Sequence, residues 1–427
     1  MNPKKWLWVL VLPLAGAAAE IPPPIVPAGV GVNIHFIGGH EQDLDLISAA
    51  GFKMVRMDFA WGSIEAQRGQ YNWSEYEQLL ANLDKRGLRA LFILDYSNPL
   101  YEEGVTSPDP LKQTPRKNTA SPQHPESIEA FARWAAAAAT HFHGRHVIWE
   151  IWNEPNGNFW SPKPDARQYT ALALATCKAI RQAEPAATII APASAGFPWE
   201  YLQTFLDSGA LEFLDGVSVH PYRDRQHPPE TAAEDYKKLR QLIDERTPAS
   251  RKNKIPILSG EWGYPTHNRG VSLETQAAFA ARQQISNLLN DVPVSIWYDW
   301  KNDGADPNDN ENNFGTVFPD LTPKPSYVAI RALTGELAGY RIERRIHLPN
   351  DKDYVLVFRT GEAAKLAAWT LAEPHSVTLD IDPGQTRILT GMRGDGQPFK
   401  VTGGSGHLPL ELAASPLYVG LEGATVR

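Results

Sequence analysis

The sequence has little of what disulfide-bonded, nucleic-acid-binding or low-complexity proteins are made of. Cys177 is the only cysteine among 427 residues, so no internal disulfide can form and stability must come from a packed core. Positive charge is not in excess, because 41 basic residues face 49 acidic ones. The formal charge of -8 argues against a phosphate-backbone partner and against a nucleic-acid ligand. No internal repeat occurs.

The composition is that of a globular protein, with 42% apolar and 21% charged residues. A chain of this length has room for one large domain and a smaller one. A neutral or weakly charged ligand fits the charge balance better than a polyanion. We expect a monomer.

Long hydrophobic runs are scarce, and the main one is at the N-terminus. Lys4 and Lys5 precede an apolar stretch from Trp6 to about Ala18, which ends in small residues. This pattern predicts an export signal over residues 1–19 and a periplasmic or extracellular protein. The run is shorter than the ~20 residues of a membrane span. An uncleaved anchor that keeps the chain at a membrane remains an alternative.

Apolar runs and helical patterns alternate from residue 20 to residue 340. Eight runs predict strands, at 29–36, 52–59, 89–96, 146–152, 188–193, 216–220, 255–260 and 294–300. Helix-like segments lie between them, at 43–50, 76–86, 127–142, 166–183, 234–246 and 273–290. Strands that alternate with helices pair in parallel, and eight such units close into a (β/α)₈ TIM barrel.

The pattern changes after a last predicted helix at 326–337. Short runs separated by turn residues follow, at 354–359, 365–371, 376–381 and 416–420. They predict a small antiparallel, β-sandwich-like domain over residues 341–427. It is either a structural appendage or a sugar-binding module.

Polar residues end nearly every predicted barrel strand, where the active site of a TIM barrel lies. Aromatic residues are interleaved with them, which suits a cleft for a ring-shaped polar ligand. These residues are Asn33, His35, Arg56, Asp58, Asp95, Tyr96, Asn98, Asn153, Glu154, His220, Tyr222, Glu261, Trp262, Trp297, Asp299 and Trp300.

Two glutamates of this set end different strands. Glu154 follows the fourth run, between Asn153 and Pro155, and Glu261 ends the seventh. Hydrolysis of a glycosidic bond needs one acid to protonate the leaving oxygen and one carboxylate to attack or stabilise the sugar cation. Glu150 is the other candidate for the catalytic acid on this strand, but its place inside the run suggests a buried acid paired with an arginine.

Four motifs resemble the clan A glycoside hydrolases: GFKMVR at 51–56, WEIWNEP at 149–155, VHPY at 219–222 and GEW at 260–262. The spacing of Trp61, Glu65, Gly69, Tyr71 and Trp73 is most similar to family 39 enzymes, including bacterial exopolysaccharide endoglycosidases. The resemblance covers roughly residues 29–340.

The resemblance implies a retaining mechanism, with Glu154 as the acid/base and Glu261 as the nucleophile. It further implies that Asn153 binds the sugar 2-hydroxyl, that His220 lies beside the acid/base and that Trp300 forms the floor of the subsite. Arg56 and Tyr222 would keep Glu261 ionised. We add His35, Tyr96 and Trp297 as substrate-binding candidates. Arg56 as a structural ion-pair partner and His220 as a core histidine are the alternatives.

We expect no cofactor and no metal. His141, His143 and His146 lie at the wrong end of the barrel and lack a matching carboxylate pattern. The Asp- and Asn-rich loop at 302–313 lacks the glycine and terminal Glu of a twelve-residue calcium loop.

The predicted function is a retaining β-glycosidase that acts on a polysaccharide, with endo action on an exopolysaccharide. An exo-acting glycosidase is one alternative, because the proline-rich segment 98–123 suits the wall of either a groove or a pocket. A carbohydrate-binding barrel without turnover is the other. The presence of two acids argues against it, because a binder has no need of two acids held close together.

Overall fold

The computed structural model of the protein describes residues 21–112, 114–382 and 386–426. The export signal predicted over residues 1–19 lies outside this part of the chain. Across the described residues, no helix combines the length and the hydrophobicity needed to cross a membrane.

Eight parallel strands form the N-terminal part of the fold: β1 (Val30–Asn33), β2 (Met54–Ala60), β3 (Arg89–Asp95), β4 (Ile148–Ile151), β5 (Thr188–Ala195), β6 (Gly216–His220), β7 (Ile257–Trp262) and β8 (Ser295–Trp297). Each strand pairs with its neighbours in the chain, and Val30 of β1 lies opposite Ser295 of β8. The sheet is therefore a closed barrel, and the prediction of a (β/α)₈ fold is confirmed.

Helices connect the strands on the outside of the barrel: α1 (Glu41–Ala49), α2 (Trp61–Ile64), α3 (Ser74–Asp84), α4 (Pro125–His141), α5 (Ala166–Ala183), α6 (Trp199–Leu206), α7 (Ala233–Arg246), α8 (Leu273–Leu289) and α9 (Pro325–Glu336). The sequence prediction contained no helix at α6. This helix has only eight residues, which is too few for a clear helical period.

A β-hairpin that the sequence did not predict follows β3. Its strands are Gly104–Pro108 and Pro115–Thr119. Proline cannot donate to a sheet ladder, so the prolines at these strand ends argued against strands. The hairpin stands alone as a two-stranded sheet, where a proline at a strand end leaves little pairing to lose.

The interior of the barrel changes from apolar to polar along its axis. Buried side chains from six strands fill the lower half: Met54, Leu91, Ile148, Ile190, Leu258, Val294 and Ile296. Arg56 lies one inward-facing step above Met54 on the same strand, because side chains alternate along a strand. The apolar layer closes the barrel from below, and the polar groups face the end where the strands terminate.

A β domain follows α9. Its strands are β9 (Arg341–Ile346), β10 (Asp353–Thr360), β11 (Ala363–Thr370), β12 (His375–Asp382), β13 (Arg387–Arg393), β14 (Pro398–Gly403), β15 (His407–Leu412), β16 (Leu417–Gly420) and β17 (Thr425–Val426). Six of them form an antiparallel sheet in the order β9-β10-β11-β16-β13-β14, and β12 pairs with β15 and β17. The predicted C-terminal β domain is confirmed.

The β domain buries both faces of its larger sheet. On β10, Val355 and Val357 face the core between the two sheets, whereas Leu356 and Phe358 face the helices α8 and α9 of the barrel. This alternation follows from the two-residue period of a strand. The apolar contact with two helices fixes the domain against the barrel.

Candidate active site

The chain after β4 holds Glu154 through an unusual backbone. Trp152 and Glu154 have positive φ angles of 70° and 45°, a region that costs a non-glycine residue about 1–3 kcal/mol. The backbone N–H of Glu154 donates to the carbonyl of Ala193 on β5 at 3.0 Å. The buried Trp152 ring and this hydrogen bond hold the carboxyl group at the upper end of the barrel.

A bulge places Glu261 at the end of β7. Two steps on β8, from Ser295 to Trp297, lie opposite three steps on β7, from Ser259 to Trp262. The extra residue redirects the side chains next to it. Gly260 precedes Glu261, and a Cβ atom there would lie 3.0 Å from Glu150 Oε1, so a larger residue would push into the polar groups of the barrel.

Arg56 connects the two strands that carry the acids. Its side chain is buried, and burial alone would lower the pKa of the guanidinium, but Glu150 and Glu261 raise it. Its N–H groups face five acceptors: Glu150 Oε2 (2.7 Å), Glu261 Oε2 (2.7 Å), Asn153 Oδ1 (2.8 Å), Asn33 Oδ1 (3.2 Å) and His220 Nε2 (3.3 Å). One cation therefore orients groups from β1, β4, β6 and β7.

The two hydrogen-bond partners of His220 decide which of its ring nitrogens carries the proton. A guanidinium can only donate, so Nε2 of His220 must accept the hydrogen bond from Arg56. The ring proton then lies on Nδ1, which is 2.9 Å from Oε1 of Glu154 and donates to it. His220 is fully buried, and it contacts Glu154 from behind instead of lining the cleft.

Glu261 is held in its ionised form. Burial alone would raise the pKa of its carboxyl group, but the Arg56 guanidinium and the hydroxyl of Tyr222 stabilise the carboxylate and leave that pKa lowered. Tyr222 donates to Oε1 of Glu261 at 2.8 Å, and burial beside Glu261 raises the pKa of this hydroxyl well above its ordinary value. Carboxylate oxygens of Glu154 and Glu261 lie within 4.8 Å of each other.

For Asp58 and Asp95, two other acids near the cleft, Arg56 does not offset the effect of burial on the carboxyl pKa. Asp95, at the end of β3, is fully buried, and neither carboxylate oxygen has a hydrogen-bond partner among the described residues. Burial and the neighbouring Asp58 raise the pKa of Asp95 well above its ordinary value. Burial also raises the pKa of Asp58, which lines the cleft.

The cleft at this end of the barrel has a volume of about 400 Å³. The structure brings most of the predicted site residues to its wall: His35, Arg56, Tyr96, Asn153, Glu154, Tyr222 and Glu261. Asn33 and Asp58, which the sequence places at this rim without a specific role, also line it. Residues that the sequence analysis did not name complete it: Leu111, Phe159, Tyr298, Asn310, Glu311 and Phe314.

Two tryptophans predicted to bind substrate do not reach the cleft. Trp297 is 0% exposed and Trp300 is 1% exposed, so neither ring has a free face for a sugar. The indole N–H of Trp300 donates to Asp43 of α1 at 2.9 Å, which turns this ring into the barrel wall. The prediction that Trp300 forms the subsite floor is therefore wrong.

Tyr298 supplies the aromatic face from the end of β8. It follows the last strand residue, lines the cleft and packs edge-on against His35 and Phe314. The sequence placed Tyr298 inside the predicted run at 294–300, and only the earlier end of the observed strand, at Trp297, puts it at the rim.

Among the residues that the structure describes, two groups of side chains have metal-ligand chemistry. Ligand atoms of Glu154, His220 and Glu261 lie within 4.8 Å of one another, and those of His35, Asp299 and Asp303 do so as well. His141 and His143 instead pair with acids at the surface, each at 2.7 Å: His141 with Glu77 and His143 with Glu184.

Comparison with known proteins agrees with this geometry. The family model for cellulases, glycosyl hydrolase family 5, matches residues 27–304. The chain belongs to this family. None of the curated proteins is detectably similar to this family 5 hydrolase in sequence.

Solved structures also resemble this family 5 hydrolase. A family 39 glycoside hydrolase from Bacteroides cellulosilyticus WH2 has a TM-score of 0.77 and 25% identity, over 94% of this chain and 81% of that one. A family 39 β-xylosidase from Caulobacter crescentus has a TM-score of 0.66 and 19% identity, over 96% and 98%. A family 30 endoxylanase from Clostridium papyrosolvens C71 has a TM-score of 0.66 and 14% identity, over 97% and 98%.

The predicted resemblance to clan A glycoside hydrolases, most like family 39, is confirmed by the family match and these structures. The protein is a glycosidase.

Proposed function

We propose that this glycosidase hydrolyses a β-linked polysaccharide with retention of configuration, using Glu154 as the acid/base and Glu261 as the nucleophile. The observation that carries the proposal is the separation of the two carboxylates, whose oxygens lie within 4.8 Å. Retaining enzymes hold their two carboxyl groups about 5–5.5 Å apart, and inverting enzymes about 6.5–9.5 Å apart, to leave room for a water.

The surroundings of the two acids fit these different roles. Arg56 and Tyr222 keep Glu261 ionised, so that it can attack the anomeric carbon while Glu154 gives its proton to the leaving oxygen. Glu154, now a carboxylate, then takes a proton from a water molecule while the water oxygen bonds to the anomeric carbon, which breaks the bond to Glu261 and releases the sugar. The N–H of His220 supports the carboxylate form of Glu154 in this second step.

Asn153 has the position of a group that binds the sugar next to the nucleophile. Its Oδ1 accepts from Arg56 at 2.8 Å, which leaves the amide N–H₂ free to point into the cleft. A hydrogen bond from this amide to the 2-hydroxyl would strengthen as charge develops in the transition state.

The shape of the cleft favours endo action. A second depression of about 330 Å³ adjoins the first and shares Tyr222, Asn310 and Phe314 with it. We infer that a bound chain continues past the two acids into this second depression. The hairpin that follows β3 reaches the cleft through Leu111 and forms another part of the wall. An exo-acting glycosidase would need that wall to close the cleft.

The two roles can be tested with an aryl β-glycoside and azide. Glu261→Ala should lose activity and, with azide, give the α-glycosyl azide, because azide enters from the face that the carboxylate has left. Glu154→Ala should give the β-glycosyl azide instead. Glu343→Gln, which removes an exposed acid of the β domain, is the matched control and should behave like the wild type.

The stereochemistry offers an independent test. Proton NMR of the first product from a β-linked substrate should show the β anomer. An initial α anomer would rule out retention. Equal rates of hydrolysis for the wild type and Glu261→Ala would contradict the assignment of Glu261 as the nucleophile.

A panel of polysaccharides with product sizing separates the three functional hypotheses. Long oligosaccharides as first products indicate endo action, and monosaccharide alone indicates exo action. Binding without any product from every polymer would favour a carbohydrate-binding barrel.

We further propose that the protein is exported and works as a monomer on an extracellular or periplasmic polymer, either free or held at a membrane by its N-terminal segment. Fractionation of cells that express the full chain, with N-terminal sequencing of the product, tests both forms. Cytoplasmic accumulation would contradict export, and a larger mass in light scattering would contradict the monomer.

A further inference from the structure

A second group of polar residues lies at the rim of the cleft, between β1 and the chain that follows β8. One side-chain atom each of His35, Asp299 and Asp303 comes within 4.8 Å of the others. His35 belongs to the segment after β1, and the two acids precede and begin the loop at 302–313. The three residues are thus brought together from distant parts of the chain.

Asp299 is buried without the partners that a buried carboxylate needs. It is 1% exposed, and neither of its oxygens has a hydrogen bond among the described residues. A buried acid of this kind is costly unless a proton, a donor or a cation satisfies it. One of these unsatisfied oxygens lies within 4.8 Å of ligand atoms of both His35 and Asp303.

The distance between Asp299 and His35 fits a shared metal ion better than a hydrogen bond. His35 Nε2 lies 3.6 Å from Asp299 Oδ2, beyond the usual 2.7–3.2 Å of an N–H···O bond. Two ligands at about 2.0–2.2 Å from a tetrahedral ion lie roughly 3.4 Å apart. The observed spacing is close to that value.

The nearby protein cation does not fill this role. Lys324 is fully buried, but its ammonium donates to neutral oxygens, at 2.8 Å to Asn302 Oδ1 and at 3.2 Å to both Thr266 Oγ1 and the carbonyl of Asn313. Lys301, the other nearby cation, pairs with Asp43 at 2.9 Å. Within the described part of the chain, Asp299 and Asp303 thus form no ion pair with a lysine or an arginine, and a bound cation would relieve the repulsion between them.

We propose that His35, Asp299 and Asp303 bind one divalent transition-metal ion, of the Zn²⁺ or Mn²⁺ type, at the rim of the cleft. An imidazole with two carboxylates suits such ions, whereas Ca²⁺ prefers six to eight oxygen ligands. His35 is partly exposed and Asp303 is exposed, so water can complete the coordination. The ion would tie the 302–313 loop to the end of β1 and so shape the wall beside Tyr298. This proposal revises the expectation of no metal and does not depend on the hydrolytic roles of Glu154 and Glu261.

The test uses the full chain after treatment with a chelator and dialysis into metal-free buffer. Isothermal titration with Zn²⁺, Mn²⁺, Ca²⁺ and Mg²⁺, each alone, should show one site for Zn²⁺ or Mn²⁺, and thermal unfolding should shift upward on binding. His35→Gln and Asp303→Asn should weaken binding at least about tenfold. Both positions are at the surface, so these variants should fold, which circular dichroism checks.

Two further variants locate the ion. Asp380→Asn alters an exposed His–Asp pair of the β domain, formed with His407, and should bind metal as the wild type does. Glu154→Gln alters the other group with ligand chemistry and should also leave binding unchanged. Absence of binding, binding of Ca²⁺ alone, or binding that Glu154→Gln abolishes while Asp303→Asn leaves it intact would each overturn the proposal.

Discussion

Two buried arginines, in different regions of the molecule, use the same ion-pair chemistry for different ends. Arg56 lies at the base of the cleft, and Arg282 of α8 lies where the barrel meets the β domain. Arg282 holds a single acid, Glu230, through two hydrogen bonds of 2.8 and 2.7 Å. Glu230 also accepts from the indole of Trp369, on β11, at 2.8 Å. The charges of Arg282 and Glu230 cancel, and both oxygens of Glu230 are used within this group of side chains.

Arg56 is not paired with one acid alone. It contacts two acids, Glu150 and Glu261, so that one negative charge remains, and the side chain of Glu261 is still 12% exposed to the cleft. In a bidentate pair the hydrogen-bonding groups of the arginine and of the acid are used by each other, so the pair contributes to stability only. A cation shared between two acids leaves a carboxylate ionised and available to a ligand. Both arginines are buried, so the two sites differ in the number of acids that the arginine contacts and in the access of a ligand to them.

Removal of Arg56 should have the largest effect. Arg56→Met leaves Glu150 buried without its cation and releases the side chains of Asn153 and Glu261. We expect about 3–5 kcal/mol lower free energy of unfolding and a loss of roughly 10³-fold in kcat/KM, measured by urea unfolding and aryl glycoside hydrolysis. Arg56→Lys should not restore activity, because one ammonium cannot reach all five acceptors. Full activity in either variant would show that Arg56 is only structural.

Arg282→Met should separate stability from catalysis. It leaves Glu230 buried and uncompensated, so we expect a similar loss of about 3–5 kcal/mol in the free energy of unfolding. The value of kcat should stay within about twofold of the wild type at a temperature where the variant is folded, since Arg282 contacts none of the cleft residues. A large fall in kcat for the folded variant would mean that the domain contact controls the cleft.

The pH dependence of activity should follow the lowered pKa of Glu261. Glu261 must be ionised to attack, and its carboxyl pKa lies below the ordinary value of 4.5. The acid limb of kcat/KM should therefore fall below pH 4.5. The stability that this shift contributes is present above the unfolded-state pKa and is lost as pH falls through the folded-state pKa. An acid limb above pH 5 in the folded enzyme would contradict the prediction.

Asp95 should show the opposite sign, because burial raises the pKa of its carboxyl group. Below the unfolded-state pKa of about 3.9 both states are protonated, and the stability that this acid contributes is lost as pH rises through the folded-state pKa. Asp95→Asn should flatten the decline of the free energy of unfolding between pH 4 and neutrality. Parallel pH profiles of the variant and the wild type would show that Asp95 is satisfied by other means.

Trp369→Phe should have the smallest effect. It removes the indole donor to Glu230 but keeps Arg282 in place and most of the apolar contact. We expect a loss of about 1–2 kcal/mol in the free energy of unfolding, with unchanged kcat. A loss as large as that of Arg282→Met would mean that the ring, and not the arginine, dominates the contact between the domains.

Local patterns in the sequence were enough for much of the fold. Alternating apolar runs and helical segments predict eight strands, and each observed barrel strand overlaps its predicted run. The same logic places Glu154 and Glu261 after strands and predicts that they meet, because the ends of parallel strands share one rim. The hairpin after β3 was missed, since proline at strand ends argues against strands in any local interpretation.

The sequence by itself determined the barrel, the β domain and which strand ends carry acids, because hydrophobic period and strand order are local properties. Only the tertiary structure decided which aromatic rings face the cleft. Trp300 is buried because Asp43, 257 residues away, accepts its N–H, and Tyr298 takes the exposed position instead. The tertiary structure also decided that Arg56 contacts two acids, whereas Arg282 pairs with one acid where the barrel meets the β domain. Such contacts join residues far apart in the chain, so no local pattern can encode them.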